Sequence, residues 1–178
     1  LTGKIMKEIT DLLINIQPDF VLVQGDTTTT FAASLAAFYR KVPVAHVEAG
    51  LRTRNIYSPF PEEVNRRMTS SIASLHFPPT QQAQQNLLNE GFDKETIKVT
   101  GNTVIDALLA VSEKVKSDSS LYEKRLSNKY GINFDAKQMI LVTGHRRESF
   151  GKPFESICNA IKHVANNNCV EIVYPVHM

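Results

Sequence analysis

The chain has 178 residues, is 42% hydrophobic and 21% charged, and carries a formal net charge of +2 with both signs interleaved. That is an ordinary globular composition, and a chain of this size buries roughly 70% of its extended surface, enough for one good core or two small ones. It excludes a basic stripe for nucleic acid and a polybasic membrane patch, while the apolar runs at 21–23 and 139–142 are far too short to span a bilayer.

In chain order, helical periodicity at Ile5, Ile9, Leu12, Leu13 and Ile16 predicts a helix over 3–16. Gln17-Pro18 leads into an apolar strand at Phe20 to Val23, then a tight turn at Gly25-Asp26-Thr27. An Ala-rich helix, TTTTFAASLAAFYR, ends near Lys41 and Pro43, and VPVAHVEAG is the next strand and turn. After a Pro-marked loop, EEVNRRMTSSIAS opens a helix with acidic residues in its first turn, which suits the macrodipole. LHFPPT reads as a short strand, QQAQQNLLNEGF as a helix stopped at Gly91, IKVTGN as a strand and turn, and TVIDALLAVSEKV as a helix. This repeating strand–helix order predicts an α/β fold with a parallel, doubly wound sheet.

Near Lys116 the composition turns polar and charged, with room for only a short helix. The α/β rhythm then restarts with MILVTGHRRESFG, PFESICNAIKHVANN and VEIVYPVH. The expected organisation is a first domain over 1–115, a linker over 116–137 and the start of a second domain over 138–178. The chain opens on Leu1 in a helix already under way and stops just after a strand, so it reads as an internal piece of a longer protein. No secretory h-region opens it. Cys158 and Cys169 fall in no metal-ligand or CxxC spacing, which predicts two reduced, partly buried thiols and a cytoplasmic location.

Three acidic residues fall at turns that leave or follow buried strands: Asp26, Glu48 and Glu62. In a parallel sheet those turns share the edge where ligands bind. Asp26 suits helix capping as well as a cleft position, and the residues alone leave both open. Glu48, with Gly50 and Arg52 beyond it, has no evident packing role; the plain alternative is a surface Glu48–Arg52 pair worth under about 1 kcal/mol. His46, alternating inside the strand, reads as a packed core histidine. In PEEVNRR, Glu62 and Arg66 share one helix face and Glu63 and Arg67 another; two exposed pairs would account for this, and spacing does not decide which pair faces the cleft. His145, Arg146 and Arg147 follow a buried strand and precede a helix, an arrangement suited to an anion such as a diphosphate. No GxGxxG, P-loop or metal spacing is present, so no redox cofactor and no metal are expected.

Taken together, GDTTTTFAASLAAFYRKVPVAHVEAGLRT, SPFPEEVNRR, FPPT, VTGNTVIDALL and LVTGHRRESFG resemble the non-hydrolysing UDP-N-acetylglucosamine 2-epimerases, in order and along essentially the whole chain. The resemblance implies a GT-B-type architecture of two Rossmann-like domains, here partial, and a cytoplasmic homodimer. It implies interconversion of UDP-N-acetylglucosamine and UDP-N-acetylmannosamine for surface polysaccharides, without a cofactor. By motif match, Asp26, Glu48 and Glu62 resemble the family's acid/base carboxylates, His145 its diphosphate-contacting histidine and Arg66 a cleft arginine. Arg146 and His177 fall where some relatives contact a second, regulatory UDP-sugar. The family's N-terminal basic loop and C-terminal uridine-binding region have no counterpart in these residues, so the isolated chain is expected to bind UDP-sugar poorly and turn over little. The same motif set is compatible with a GT-B glycosyltransferase, a hydrolysing epimerase, an epimerase of UDP-2,3-diacetamido sugars or a catalytically dead binding module.

Overall fold

The computed structural model describes residues 1–134, 138–144 and 151–176. The chain divides into two compact units, Leu1–Ala107 and Leu108–Met178. His145, Arg146 and His177 lie outside the described residues.

The first unit alternates helix and strand as its periodicity requires: α1 (Thr2–Ile16), β1 (Val21–Gln24), α2 (Thr28–Tyr39), β2 (Val44–Val47), α3 (Glu62–Ile72), β3 (Leu75–Phe77) and α4 (Gln81–Asn89). The strands are parallel in the order β1-β2-β3, with Val23, His46 and His76 in register across the sheet. Each crossover advances the sheet by one strand, and right-handed connections then place successive helices on one face. The core follows from that stacking: Leu13 of α1 and Ala33, Ala36 and Ala37 of α2 pack on Val23 and Val44, with Ile72 of α3 alongside. α2 lies between two helices and the sheet, so its small residues are buried nearly all round. Ser34, fully buried there, donates its hydroxyl to Thr30 O at 2.8 Å and leaves no unpaired group.

The expected strand over Ile97 to Thr100 does not form. Ile97 makes one parallel bridge to His76, followed by bonds from Lys98 N–H to His76 O (2.9 Å) and Thr100 N–H to Pro78 O (3.1 Å). Pro78, directly after β3 and on the side facing this segment, carries no N–H to return a bond, so the ladder stays one-sided.

A helix α5 (Thr103–Ser117) crosses the boundary between the units. In the second unit, α6 (Ser119–Tyr130) occupies the polar segment and ends on Gly131. Strands β4 (Gln138–Leu141) and β5 (Val170–Val173) pair in parallel, and α7 (Lys152–Asn167) lies between them in sequence. Cys158 and Cys169 are both free and exposed, rather than partly buried, because each falls on a solvent-facing position of this unit. Among the described residues no helix is long and apolar enough to cross a membrane.

Gly50, shortly after β2, passes close to the backbone of α4. Its φ is +83°, and a Cβ there would stand 2.2 Å from Ala83 O of α4. Asn86 meanwhile donates its side-chain amide to Gly50 O at 2.9 Å. Gly50→Ala is expected to destabilise the fold by about 2–3 kcal/mol, from left-handed strain plus overpacking. A urea midpoint unchanged from the parent chain would contradict this.

Candidate active site

Strands β1 and β2 run parallel, so the turns at Gly25-Asp26 and Glu48-Ala49 open on the same edge of the sheet. Capping of α2 falls to Thr27, whose Oγ1 accepts from Thr30 N–H at 3.2 Å. Asp26 is therefore not occupied as a cap. Its Oδ2 accepts from Arg66 Nε at 3.1 Å and also from Arg66 Nη2, and its backbone carbonyl accepts from Asn65 Nδ2 at 3.0 Å. One turn of α3 thus grips both the side chain and the backbone of Asp26.

Glu48 adopts a left-handed backbone, φ +67°, costing roughly 1–2 kcal/mol for a side chain with a Cβ. Its N–H is tied to Phe77 O at 3.0 Å, at the end of β3. Its carboxylate is thereby turned onto Gly25: Oε2 stands 3.4 Å from where a Cβ would sit on that residue, whose own φ is +74°. A glycine before Asp26 gives the turn its left-handed conformation and leaves the Glu48 carboxylate on the side where a side chain at residue 25 would stand. Glu62 is the first residue of α3, partly buried, four residues before Arg66. The structure therefore brings Asp26 and Glu48 onto adjoining turns and attaches the helix that starts at Glu62 to Asp26.

Two charge pairings that the sequence left open as alternatives do not form. Arg52 does not pair with Glu48: Nε and Nη2 bind Glu90 at 2.7 and 2.8 Å, with further bonds to Ser70 Oγ (3.1 Å) and Leu51 O (2.8 Å). The hydrogen bond from Arg52 holds the Glu90 carboxyl below its usual range. Nor is Glu63 part of an exposed pair with Arg67. It is fully buried and accepts from Arg66 Nη1 at 3.2 Å, Thr53 N–H at 3.1 Å and Arg54 N–H at 3.3 Å. The segment 52–54 returns over α3 and supplies those amides, which no spacing within PEEVNRR could reveal. Glu63 and Glu90, with Arg52, Arg54, Arg67, Asn86 and Asn89, border a hollow of about 240 Å³ that none of Asp26, Glu48 and Glu62 lines.

His46 is a core histidine, as its place inside the strand predicts, but it also braces the site. Fully buried, it donates Nε2–H to Gly25 O at 2.8 Å, fixing the tautomer and the turn that carries Asp26. Burial pushes its pKa down, only partly opposed by that bond. Its register neighbour His76, packed 4.9 Å from the Phe92 ring, is held at a pKa of about 4 by burial and by the nearby His46 and Arg52. Asn65, Glu63 and His46 are the contributors to the site that the sequence left unassigned. Among the described residues no group of His, Cys, Asp and Glu is placed to hold a metal ion.

The whole chain, residues 1–178, matches the family described as UDP-N-acetylglucosamine 2-epimerase. The chain belongs to that family. Along 100% of its length it is 53% identical to the UDP-N-acetylglucosamine 2-epimerase of Salmonella typhimurium, of which it covers 47%. It superposes on the UDP-GlcNAc 2-epimerase from Neisseria meningitidis bound to UDP-GlcNAc with a TM-score of 0.91 at 46% identity, covering 99% of this chain and 47% of that one. For the S. aureus MnaA–UDP co-structure the TM-score is 0.85 at 46% identity, over 99% of this chain and 46% of that one. These neighbours share the GT-B-type α/β fold expected from the sequence. The chain spans about half the length of the curated epimerases it matches.

The buried His76 gives the site a pH signature in stability. Its folded pKa of about 4 lies below the ordinary histidine value of 6.5, so the unfolded chain takes up the proton first. Stability from this group is complete above pH 6.5 and drains as pH falls toward 4, by on the order of 3 kcal/mol. His76→Gln is expected to remove up to one proton's worth of slope from the unfolding free energy across that window, followed by urea titration at successive pH values. An identical slope in both proteins would contradict the assignment.

Proposed function

We propose that the protein containing these residues interconverts UDP-N-acetylglucosamine and UDP-N-acetylmannosamine by eliminating and re-adding UDP, supplying the mannosamine sugar for surface polysaccharide synthesis. The observation that carries the reading is the pair of carboxylates on adjoining strand-end turns, Asp26 and Glu48, with the helix of Glu62 bound to Asp26 through Arg66 and Asn65. Family membership along the whole chain supports it, as does the likeness to epimerases bound to UDP-GlcNAc.

The chemistry explains why more than one carboxylate is needed. The C2 proton of an N-acetylhexosamine has no carbonyl beside it to acidify it. Its removal becomes feasible when the C1–O bond to UDP breaks in the same phase, leaving a C1=C2 double bond in a 2-acetamidoglucal and the electron pair on the departing diphosphate. Protonation of C2 from the opposite face, with UDP returning to C1, inverts the centre. That sequence takes acid/base groups able to serve both faces of the ring, roles we give to Asp26, Glu48 and Glu62. It also takes cationic and N–H donors for the leaving diphosphate; we assign His145 and Arg146 there, with Arg66 lining the cleft. His177 and Arg146 are proposed to touch a second, regulatory UDP-sugar. Every step of this elimination and re-addition is a proton transfer or a C–O bond change with no oxidised intermediate, so the proposed route uses no redox cofactor. A homodimer in the cytoplasm is the proposed working form, with residues 1–115 belonging to the first Rossmann-like domain and 138–178 to the second.

Deuterium at C2 tests the reaction. The full-length protein, incubated with UDP-N-acetylglucosamine in D2O, is expected to place one deuterium at C2 of both epimers while the nucleotide stays attached. Free N-acetylmannosamine would indicate a hydrolysing enzyme instead, and transfer without exchange a glycosyltransferase. Asp26→Asn and Glu48→Gln are each expected to lower kcat by about 10²–10⁴-fold; full activity in both would contradict the acid/base roles.

A further inference from the structure

We propose that Glu63 is a positioning residue of the acid/base site, acting through Arg66 on Asp26. This rests on the reading of Asp26 as a catalytic group. Glu63 itself stands one residue beyond the acidic position that the family resemblance marks.

The case begins with burial. Glu63 has no exposed surface, and a charged carboxylate removed from water costs several kcal/mol unless its oxygens are met by donors. Here they are met by three, and the sources of those donors are what matters. Two are the consecutive amides of Thr53 and Arg54, at 3.1 and 3.3 Å, on the chain that continues from Glu48. The third is Arg66 Nη1 at 3.2 Å. The remaining edge of the same guanidinium, Nε and Nη2, binds Asp26 Oδ2. A guanidinium is a rigid planar fork, so fixing Nη1 fixes the direction in which Nε and Nη2 point. Glu63 therefore ties the segment leaving Glu48, through one plane, to the carboxylate of Asp26.

A purely structural carboxylate would need only donors of any origin. Glu63 takes its charged donor from the arginine that also holds Asp26, while Arg67, next in sequence, is exposed and acts on Glu90 instead. Glutamine in its place keeps the shape but puts an NH2 group where at least one donor points. With the NH2 turned toward Arg54 N–H, the remaining oxygen still accepts from Thr53 N–H and Arg66 Nη1 but carries no charge; turned the other way, the NH2 opposes both of those donors, so in either orientation the guanidinium loses its charged anchor.

The test has two readouts on the whole encoded protein. In Glu63→Gln, hydrogen exchange at Arg66 Nε, followed by 15N-resolved NMR, is expected to accelerate at least tenfold, while Arg52 Nε, bound to Glu90, keeps its protection. In turnover, kcat is expected to fall at least tenfold with KM for UDP-N-acetylglucosamine changed less than threefold. The double variant with Arg66→Gln should be no slower than Arg66→Gln alone. Unchanged Arg66 exchange, or additive losses in the double variant, would overturn the proposal. Glu63→Asp, which keeps the charge one methylene short, serves if the glutamine variant does not fold, with the same two outcomes. If neither variant folds, Glu63 is a folding residue only and the proposal is wrong. A parent protein that exchanges no deuterium at C2 would instead refute the epimerase reading, and the exchange measurement would still decide whether Glu63 holds Arg66.

Discussion

One guanidinium organises the edge of the first sheet. Arg66 is itself buried and spans two carboxylates, Asp26 at the end of β1 and Glu63 inside the first turn of α3. Two negative groups against one positive group in poor contact with water would repel one another strongly. The deficit is met by backbone: the amides of Thr53 and Arg54 on Glu63, and the N-terminal end of α3, whose dipole favours negative charge. The arrangement holds only if the segment after β2 folds back over α3, which in turn requires the left-handed turn at Glu48 and the close pass of Gly50 beneath α4.

Rigid and strained parts divide the work. The helices and strands are held by small-residue packing around α2 and by in-register parallel pairing. The turns that carry the acids instead depart from ordinary backbone geometry at Gly25 and Glu48. His46 joins the two, since its ring is core and its Nε2–H holds the carbonyl beside Asp26. Such placement of strained turns on a stiff scaffold is how a site keeps its functional groups from relaxing into solvent.

Most of the fold was legible because its signals are local. The helical period of α1, the Ala-rich run of α2, the acidic start of α3 and the short apolar strands all lie within windows of a few turns. The strand expected at Ile97 failed because ladder formation depends on the partner, and the partner's continuation begins with Pro78. In the site, the positions of Asp26 and Glu48 at strand ends were readable, since topology sends those turns to one edge. Their partners were not. Spacing offered Glu63–Arg67 and Glu48–Arg52, whereas the folded chain pairs Glu63 with Arg66 and Arg52 with Glu90, 38 residues away. Thr27 rather than Asp26 caps α2, a choice between adjacent residues that propensity barely separates.

The account stands on several carboxylates meeting one sugar ring. A crystal structure of the full-length Asp26→Asn protein with UDP-N-acetylglucosamine bound tests that most directly. The expected result is Glu48, Glu62 and residue 26 each within about 3–4 Å of the sugar, or one water away, with groups on both sides of C2. A ring bound elsewhere, with these side chains more than about 8 Å from C2 and no water between, would contradict it.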